Sequence, residues 1–211
     1  MHSRYSNDSL IRIEDLLSAC QTKGIDRIAI TDHNQIEGAL EAKSLEPEQV
    51  IVGEEIQTTD GEILGYFMSD LVPGGLTPMQ TVEALKNQGA FISVAHPFDT
   101  QRGSRWRPGM LEEILPHIDA LEVFNARCRS PKFNDLAFAC AQEYGLLQMV
   151  GSDAHSIIEL GQANLILPEF NDSDSFRVAL KSSEFVGRLS GSWVHLISTF
   201  SNLIKQVNKT D

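Results

Sequence analysis

Cysteine is scarce in this chain, three in 211 residues, and Cys20, Cys128 and Cys140 form an odd set with no C-x-x-C or zinc-ribbon spacing. The sequence therefore offers neither a disulfide framework nor a thiolate metal site, and we expect reduced, buried thiols of a cytoplasmic protein. Cationic side chains are also in short supply: 17 Lys and Arg stand against 29 Asp and Glu, a net charge of −12. That balance argues against stable duplex nucleic-acid binding, because phosphate backbones are held by an excess of Lys and Arg. It leaves room for a small phosphorylated substrate in a local pocket. No run of about 18 apolar residues is present, so no membrane helix is expected. The opening residues Met1-His2-Ser3-Arg4-Tyr5-Ser6 lack the apolar stretch of a signal peptide. Internal repeats and low-complexity linkers are missing too, and a single domain over residues 1–211 is the simplest organisation.

What the chain does have is an ordinary apolar content, 42%, arranged in short β-branched runs that alternate with helical stretches. Helices are expected at about Ile13–Lys23, with Ser9 or Asp8 as cap and Gly24 as stop, then at Ile36–Lys43, Thr77–Asn87, Met110–Leu115, Phe133–Tyr144 and Ser173–Ser182. Strands are expected at Arg27–Thr31, Val50–Ile56, Glu62–Met68, Phe91–Ala95, Ala120–Phe124 and Leu147–Gly151, with a weaker one at Leu165–Leu167. The second and third of these pair across the Thr58-Thr59-Asp60-Gly61 turn. Such alternation indicates an α/β architecture. From Trp193 onward, Trp193, Leu196, Ile197, Phe200, Leu203 and Ile204 recur at helical spacing. Residues 192–206 are therefore expected to form an amphipathic helix packed on the domain.

Three of the six histidines stand just after strands, in Thr31-Asp32-His33, Ala95-His96-Pro97 and Gly151-Ser152-Asp153-Ala154-His155. Acids at Glu55, Glu122 and Asp153 occupy similar places. In parallel α/β folds the loops after the strand C-termini converge on one face. A buried set of carboxylates repels itself unless cations join it, and mixed His/carboxylate ligation suits Zn, Mn or Fe.

Asp32-His33, Gly53-Glu54-Glu55, His96-Pro97 and Gly151-Ser152-Asp153-Ala154-His155 resemble, in order and spacing, the motifs of the PHP (polymerase and histidinol phosphatase) superfamily, over about residues 1–170. The resemblance implies a distorted seven-stranded (β/α) TIM-like barrel with two or three divalent ions at the strand C-terminal face. The small stand-alone metal-dependent phosphoesterases are the most similar members. Carried over by position, the implied ligands are His2, Asp8 (or Asn7), His33, Glu55, Glu62, His96, Asp153 and His155, with Asp32 orienting His33 from behind. The family's first His-x-His-Ser motif is present only as His2-Ser3. The first barrel strand is accordingly expected to be largely missing, and the Met1 α-amino group to lie near enough to substitute as a nitrogen ligand.

The reading that follows is hydrolysis of a small phosphate ester (a nucleotide, an oligonucleotide or a phosphorylated metabolite) by a metal-bridging hydroxide, with Asp153, His155 and Arg127 as catalytic groups. Arg105, Arg127 and Trp106 are the expected substrate contacts, since guanidiniums grip phosphate oxygens in pairs and an indole can stack on a base. The competing reading is a metal-poor structural or regulatory domain. His117 and His195 match no motif, and a structural role is expected for both.

Overall fold

The computed structural model describes residues 1–191 and 193–208. The chain alternates strands and helices: α1 (Ile13–Lys23), β1 (Ile28–Ile30), α2 (Glu37–Leu45), β2 (Val50–Thr58), β3 (Gly61–Tyr66), α3 (Pro78–Asn87), β4 (Phe91–Val94), α4 (Met110–Ile114), β5 (Ala120–Asn125), α5 (Pro131–Tyr144), β6 (Leu147–Gly151), β7 (Ala163–Ile166), α6 (Ser173–Leu180), β8 (Glu184–Gly187) and α7 (Val194–Asn208). Helix α1 buries Ile13, Leu16, Leu17 and Cys20 and stops at Gly24, whose φ of 65° costs a glycine little. Neither Ser9 nor Asp8 caps it; Arg12 holds that position without a side-chain bond. The reason is competition, because Ser9 Oγ donates to the His2 carbonyl and Asp8 is drawn to imidazole. Helix α3 starts as its sequence suggests, with Thr77 and Gln80 closing a capping box ahead of Pro78.

Strands β1 to β6 lie side by side in chain order in one curled, half-barrel sheet. Pairs β1/β2, β4/β5 and β5/β6 are parallel, whereas β3 runs antiparallel to both neighbours. In the β2/β3 register Glu55 faces Leu64 and Gln57 faces Glu62. Glu55 and Glu62 therefore share a face as diagonal neighbours, and Glu54 points to the other side. Strands β7 and β8 form a separate antiparallel pair. Strand β8, four residues exposed throughout, carries too short a pattern to be read from sequence.

Two apolar cores support the sheet. One gathers Ile13, Leu16, Ile30, Ile56, Ile63, Leu85, Ile92 and Leu121. The other packs Tyr66, Phe91, Phe170 and Phe176 on the opposite side. Met1 lies between the edge strands β1 and β6: Thr31 N–H donates to the Met1 carbonyl and His2 N–H to the Ala154 carbonyl, each at 2.9 Å. These two bonds fix His2 at the rim of the sheet.

Helix α7 departs from expectation in which face it buries. Leu196, Phe200 and Leu203 are 71%, 63% and 56% exposed, while Val194 and Ser201 are buried. Its polar side faces the domain because a polar pocket lies beneath it. Arg127 Nη2 donates to Val194 O and Ser198 Oγ, and Lys205 Nζ donates to the carbonyls of Arg4 and Ser6. Residue 192, the first of the expected helix, lies outside the described residues. Among the described residues no helix is long and apolar enough to cross a membrane.

Candidate metal centre

Strand ends bring the chemistry together, and the backbone is bent to do so. His96 and Asp153 follow β4 and β6 with φ of 28° and 48°. Those values disfavour residues with a Cβ and are held only where surrounding contacts dictate them. His96 is held by its own N–H, which donates to Glu122 Oε2 at 2.8 Å. Glu122 Oε2 also accepts from Asn125 Nδ2. Gly151 leaves the space for this carboxylate, since a Cβ there would stand 2.0 Å from Glu122 Oε1.

Glu55 is the centre of the cluster. Its Oε2 lies 3.1 Å from His2 Nε2 and its Oε1 3.1 Å from His96 Nε2. His2 Nε2 is also 3.2 Å from Asp153 Oδ1, and His96 Nε2 is 3.2 Å from Glu62 Oε2. His33 reaches Glu55 and Glu62 at 3.9 and 3.8 Å through Nδ1. Asp8 Oδ2 sits 2.9 Å from His155 Nε2 and 3.6 Å from His33 Nε2. The His2 ring lies between those of His33 and His155, at centroid distances of 4.4 and 4.2 Å.

Within this cluster three sets of donor atoms lie within 4.8 Å of one another: His2, Glu55 and Asp153; His33, Glu55 and Glu62; and His2, His33 and His155. Glu55 belongs to two of them. Asp8 Oδ1 and Asp153 Oδ1 are buried without a hydrogen bond, which suits oxygens shaped for a cation. The donor set is mixed nitrogen and carboxylate oxygen, the chemistry that Zn, Mn and Fe share.

The charges are strongly coupled. Burial opposes ionisation of Glu55 and Asp153, yet His33, His2 and His96 hold the Glu55 carboxyl well below its usual range, and Arg102 and His2 do the same for Asp153. Burial likewise opposes protonation of His33 and His96, but Glu55, Asp8 and Glu62 raise His33 to about 10. Glu55 and Glu62 raise His96 to about 9 against the further opposition of Arg102. His155 goes the other way, to about 4, because burial and the neighbouring His2 outweigh Asp8. Without a divalent ion, protons on His33 and His96 supply the positive charge that the carboxylates require.

All eight expected ligand residues converge at this place, and Asp8, not Asn7, is the residue that faces the imidazoles. Two other expectations are corrected. Asp32 does not touch the His33 ring; it accepts from Ser3 N–H, Ser3 Oγ and Ser6 Oγ, so it fixes the segment that carries His2. The Met1 α-amino group donates to Thr31 Oγ1 and Ala29 O instead of facing the cluster. Arg127 is buried, with Nη1 2.6 Å from His155 Nδ1 and Nη2 on α7, while Nε stands 3.1 Å from Glu159 Oε1 as an ion pair without a hydrogen bond. It braces His155 against α7 and also lines the cavity over the cluster.

A cavity of about 310 Å³ opens over the cluster, lined by Asp8, His33, Glu62 and His155 below and by Arg102, Arg129, His195 and Ser198 above. Neither Arg105 nor Trp106 lines it. Arg105 is exposed, and Trp106 lies over Gly61, packed on the core. The arginine of that loop that enters the site is Arg102. Its Nη2 is 2.7 Å from Asp153 Oδ2 and 3.2 Å from Asn125 Oδ1, and its Nε is 3.3 Å from Asp99 Oδ2. Arg102, one of three arginines the sequence places in that loop, and His195, expected to be structural, both line the cavity. The Arg102/105/107 cluster was visible, but which member turns inward depends on Asp99 and Asp60, since Arg107 is taken by Asp60. His195 had no motif to mark it. His117 is exposed at the end of a 3₁₀ turn, and Cys128 is buried with its thiol pushed up by burial. A larger cavity, about 1110 Å³, is lined by Glu55 and Asp153 together with polar groups such as Lys23 and Arg27 and apolar ones such as Ile28, Leu64 and Met149.

A half-barrel α/β sheet whose strand ends gather histidines and carboxylates around one shared glutamate defines a class of metal-site proteins. The chain matches the PHP domain over residues 1–174 and belongs to that family. It is 36% identical over 185 residues to an uncharacterised protein of Methanocaldococcus jannaschii, covering 86% of this chain and 74% of that one. A second uncharacterised protein of the same organism is 36% identical over 151 residues, 65% of this chain and 85% of its own. Among solved structures, a candidate metal-dependent phosphoesterase from Bifidobacterium adolescentis superposes with a TM-score of 0.63 at 18% identity, covering 85% of this chain and 93% of that one. PsfC from Pseudomonas syringae superposes with a TM-score of 0.61 at 15% identity, over 92% and 88%. Both share the fold.

Proposed function

We propose that this protein is a metal-dependent phosphoesterase that hydrolyses a small phosphate ester with two or three divalent ions of the Zn, Mn or Fe type. The observation that carries the reading is Glu55, which belongs to two overlapping ligand sets and meets His2 and His33 through Oε2 and His96 through Oε1. A carboxylate so placed suits a bridge between adjacent cations. Membership of the PHP family and the description of the Bifidobacterium adolescentis structure point the same way. His2 and Asp153 would complete one position and His33, Glu62 and His96 the other, with His155 and Asp8 serving a third. Bound there, the ions would lower the pKa of water and neutralise charge on phosphoryl oxygens.

The rest falls to the chain's own groups. Arg102 projects over the centre from the loop after β4 and is placed to orient a phosphoryl oxygen. Asp153 stays ionised beside Arg102 and His2, so it acts as ligand and anchor and not as a proton donor. His155 is neutral at pH 7, the form that a ligand requires. Glu122 and Asn125 hold His96 and Arg102 in place.

The test is release of phosphate or alcohol from a panel of phosphomonoesters and diesters with Mn²⁺ or Zn²⁺. Metal-dependent turnover that Glu55→Ala abolishes is expected. A chain that takes up metal through these residues and cleaves nothing in the panel would contradict the reading.

A further inference from the structure

Helix α7 carries two seams on opposite sides. Val194 and Ser201 are buried, and Ser198 and Lys205 bond to the domain, so these four residues, spaced four, three and four apart, face inward. Trp193, Leu196, Phe200 and Leu203, spaced three, four and three apart, face outward, with 48% to 71% of each exposed. Val207 continues the spacing. An alternation of three and four is the a/d pattern by which one helix packs along another. Ile197 and Ile204, beside the outer seam, are half-buried. The outer seam is also uncharged. Lys205 is the one formally charged side chain in the sequence from 194 to 208, and its Nζ is turned to the Arg4 and Ser6 carbonyls. The positions flanking the seam are Ile197, Thr199, Ile204 and Gln206. Helices that lie on anionic lipid carry Lys and Arg along their polar side, and a chain of net charge −12 without them is repelled there. A second copy brings the same neutral seam, so no like charges meet where the two join. The exposed fractions of the four outer side chains amount to roughly 500 Å² per chain and on the order of 1,000 Å² for two, where specific interfaces begin.

We propose that this protein forms a two-fold dimer in which the outer seam of α7 packs antiparallel against the same seam of a second copy. Such an interface is isologous, the same patch serving both sides. Phe200 stands at the middle of the seam and meets its own counterpart on the axis. Leu196 faces Leu203 of the second copy, and Trp193 faces Val207. The antiparallel sense sets the largest side chain of the seam against the smallest, which keeps the helix axes evenly spaced, and it opposes the helix dipoles. A parallel pair would set Trp193 against Trp193 and wedge the helices apart at one end. His195 and Ser198, on other faces of the same helix, line the cavity over the metal cluster, so pairing backs the helix that covers the site. None of the expected metal ligands lies on α7, and the dimer stands or falls independently of the phosphoesterase reading.

Sedimentation equilibrium of the whole protein tests it. Chains of 23.4 kDa should assemble to twice that mass, with a dissociation constant on the order of 10 µM or below for an interface of this size. Phe200→Glu should raise that constant about a hundredfold, the scale of losing a central anchor. Phe200 is exposed in the single chain, so the variant should keep the native circular dichroism. Cysteine pairing reads the register. Cys20 and Cys128 are buried and Cys140 is half-buried, so the pairs are made in a Cys140→Ser background. Mild oxidation should join Leu196→Cys to Leu203→Cys in a mixture and leave Leu196→Cys alone unjoined; self-joining of Leu196→Cys would overturn the antiparallel arrangement. A chain still monomeric at ten times the expected constant, or a dimer that Phe200→Glu leaves intact, would overturn the proposal. So would a monomer that floats with phosphatidylcholine–phosphatidylglycerol vesicles and loses that binding in Phe200→Glu, since the stripe would then belong to lipid.

Discussion

The floor and the wall of the cavity are built on opposite principles. The floor is buried, strand-anchored and over-determined: Glu55 alone meets three imidazoles, and His96 and Asp153 are held at positive φ by contacts on several sides. The wall comes from loops and helix α7, and its arginines range from buried Arg127 to exposed Arg129. Rigid elements suit groups that must meet a cation within a few tenths of an ångström, whereas loops suit recognition of a variable ligand. On the proposed function, the chemistry falls to the buried, strand-anchored part and substrate contact to the loops.

The largest effect should come from breaking the floor itself. Asp153→Asn keeps the shape but removes a charge that faces His2 and Arg102. Ester hydrolysis should fall by about 10²–10³-fold, the usual scale for losing one preorganised electrostatic partner, as measured by kcat at saturating Mn²⁺. A milder loss is expected one layer out. Glu122→Ala frees the His96 backbone N–H and the Asn125 amide, and metal affinity should drop about 10–100-fold, read by competition with a metal indicator. An unchanged affinity would show that the positive φ of His96 is maintained without it.

The smallest effect concerns stability and lies on the far face of β2. Glu54 is fully buried and accepts from Val72 N–H, and burial, partly offset by that bond, raises its carboxyl to about 7 from a usual 4.5. A raised folded value means that the native state favours the protonated form. The stability this contributes is complete below about pH 4.5 and is lost as pH climbs through about 7. Glu54→Gln should therefore stabilise the protein by on the order of 2 kcal/mol at pH 8 and by little at pH 4. Thermal melts at the two pH values check it, and equal shifts would place the effect elsewhere.

The same division explains what could be read from the amino-acid sequence. The floor was legible because its ligands sit at fixed offsets after β-branched runs, and strand direction alone brings such positions together. The segment at Asp32 was legible in position but not in role: its carboxylate turns toward Ser3 and Ser6 because Gly38, where a Cβ would be 2.4 Å from Asp32 Oδ2, lets the chain approach closely. The wall was not legible. Arg102, Arg105 and Arg107 look equivalent in sequence and are sorted only by the acids each meets. In α7 the apolar stripe suggested a buried face, yet the pocket beneath requires the polar one. Strand β8 is short and exposed, so no periodicity marks it.

The central claim is that Glu55 joins two cation positions. Elemental analysis of the protein purified without chelator and equilibrated with Mn²⁺ or Zn²⁺ tests it most directly. Two or more ions per chain are predicted for the native protein, falling to one or fewer in Glu55→Ala. Equal metal content in the two, or no bound metal in the native chain, would contradict the account.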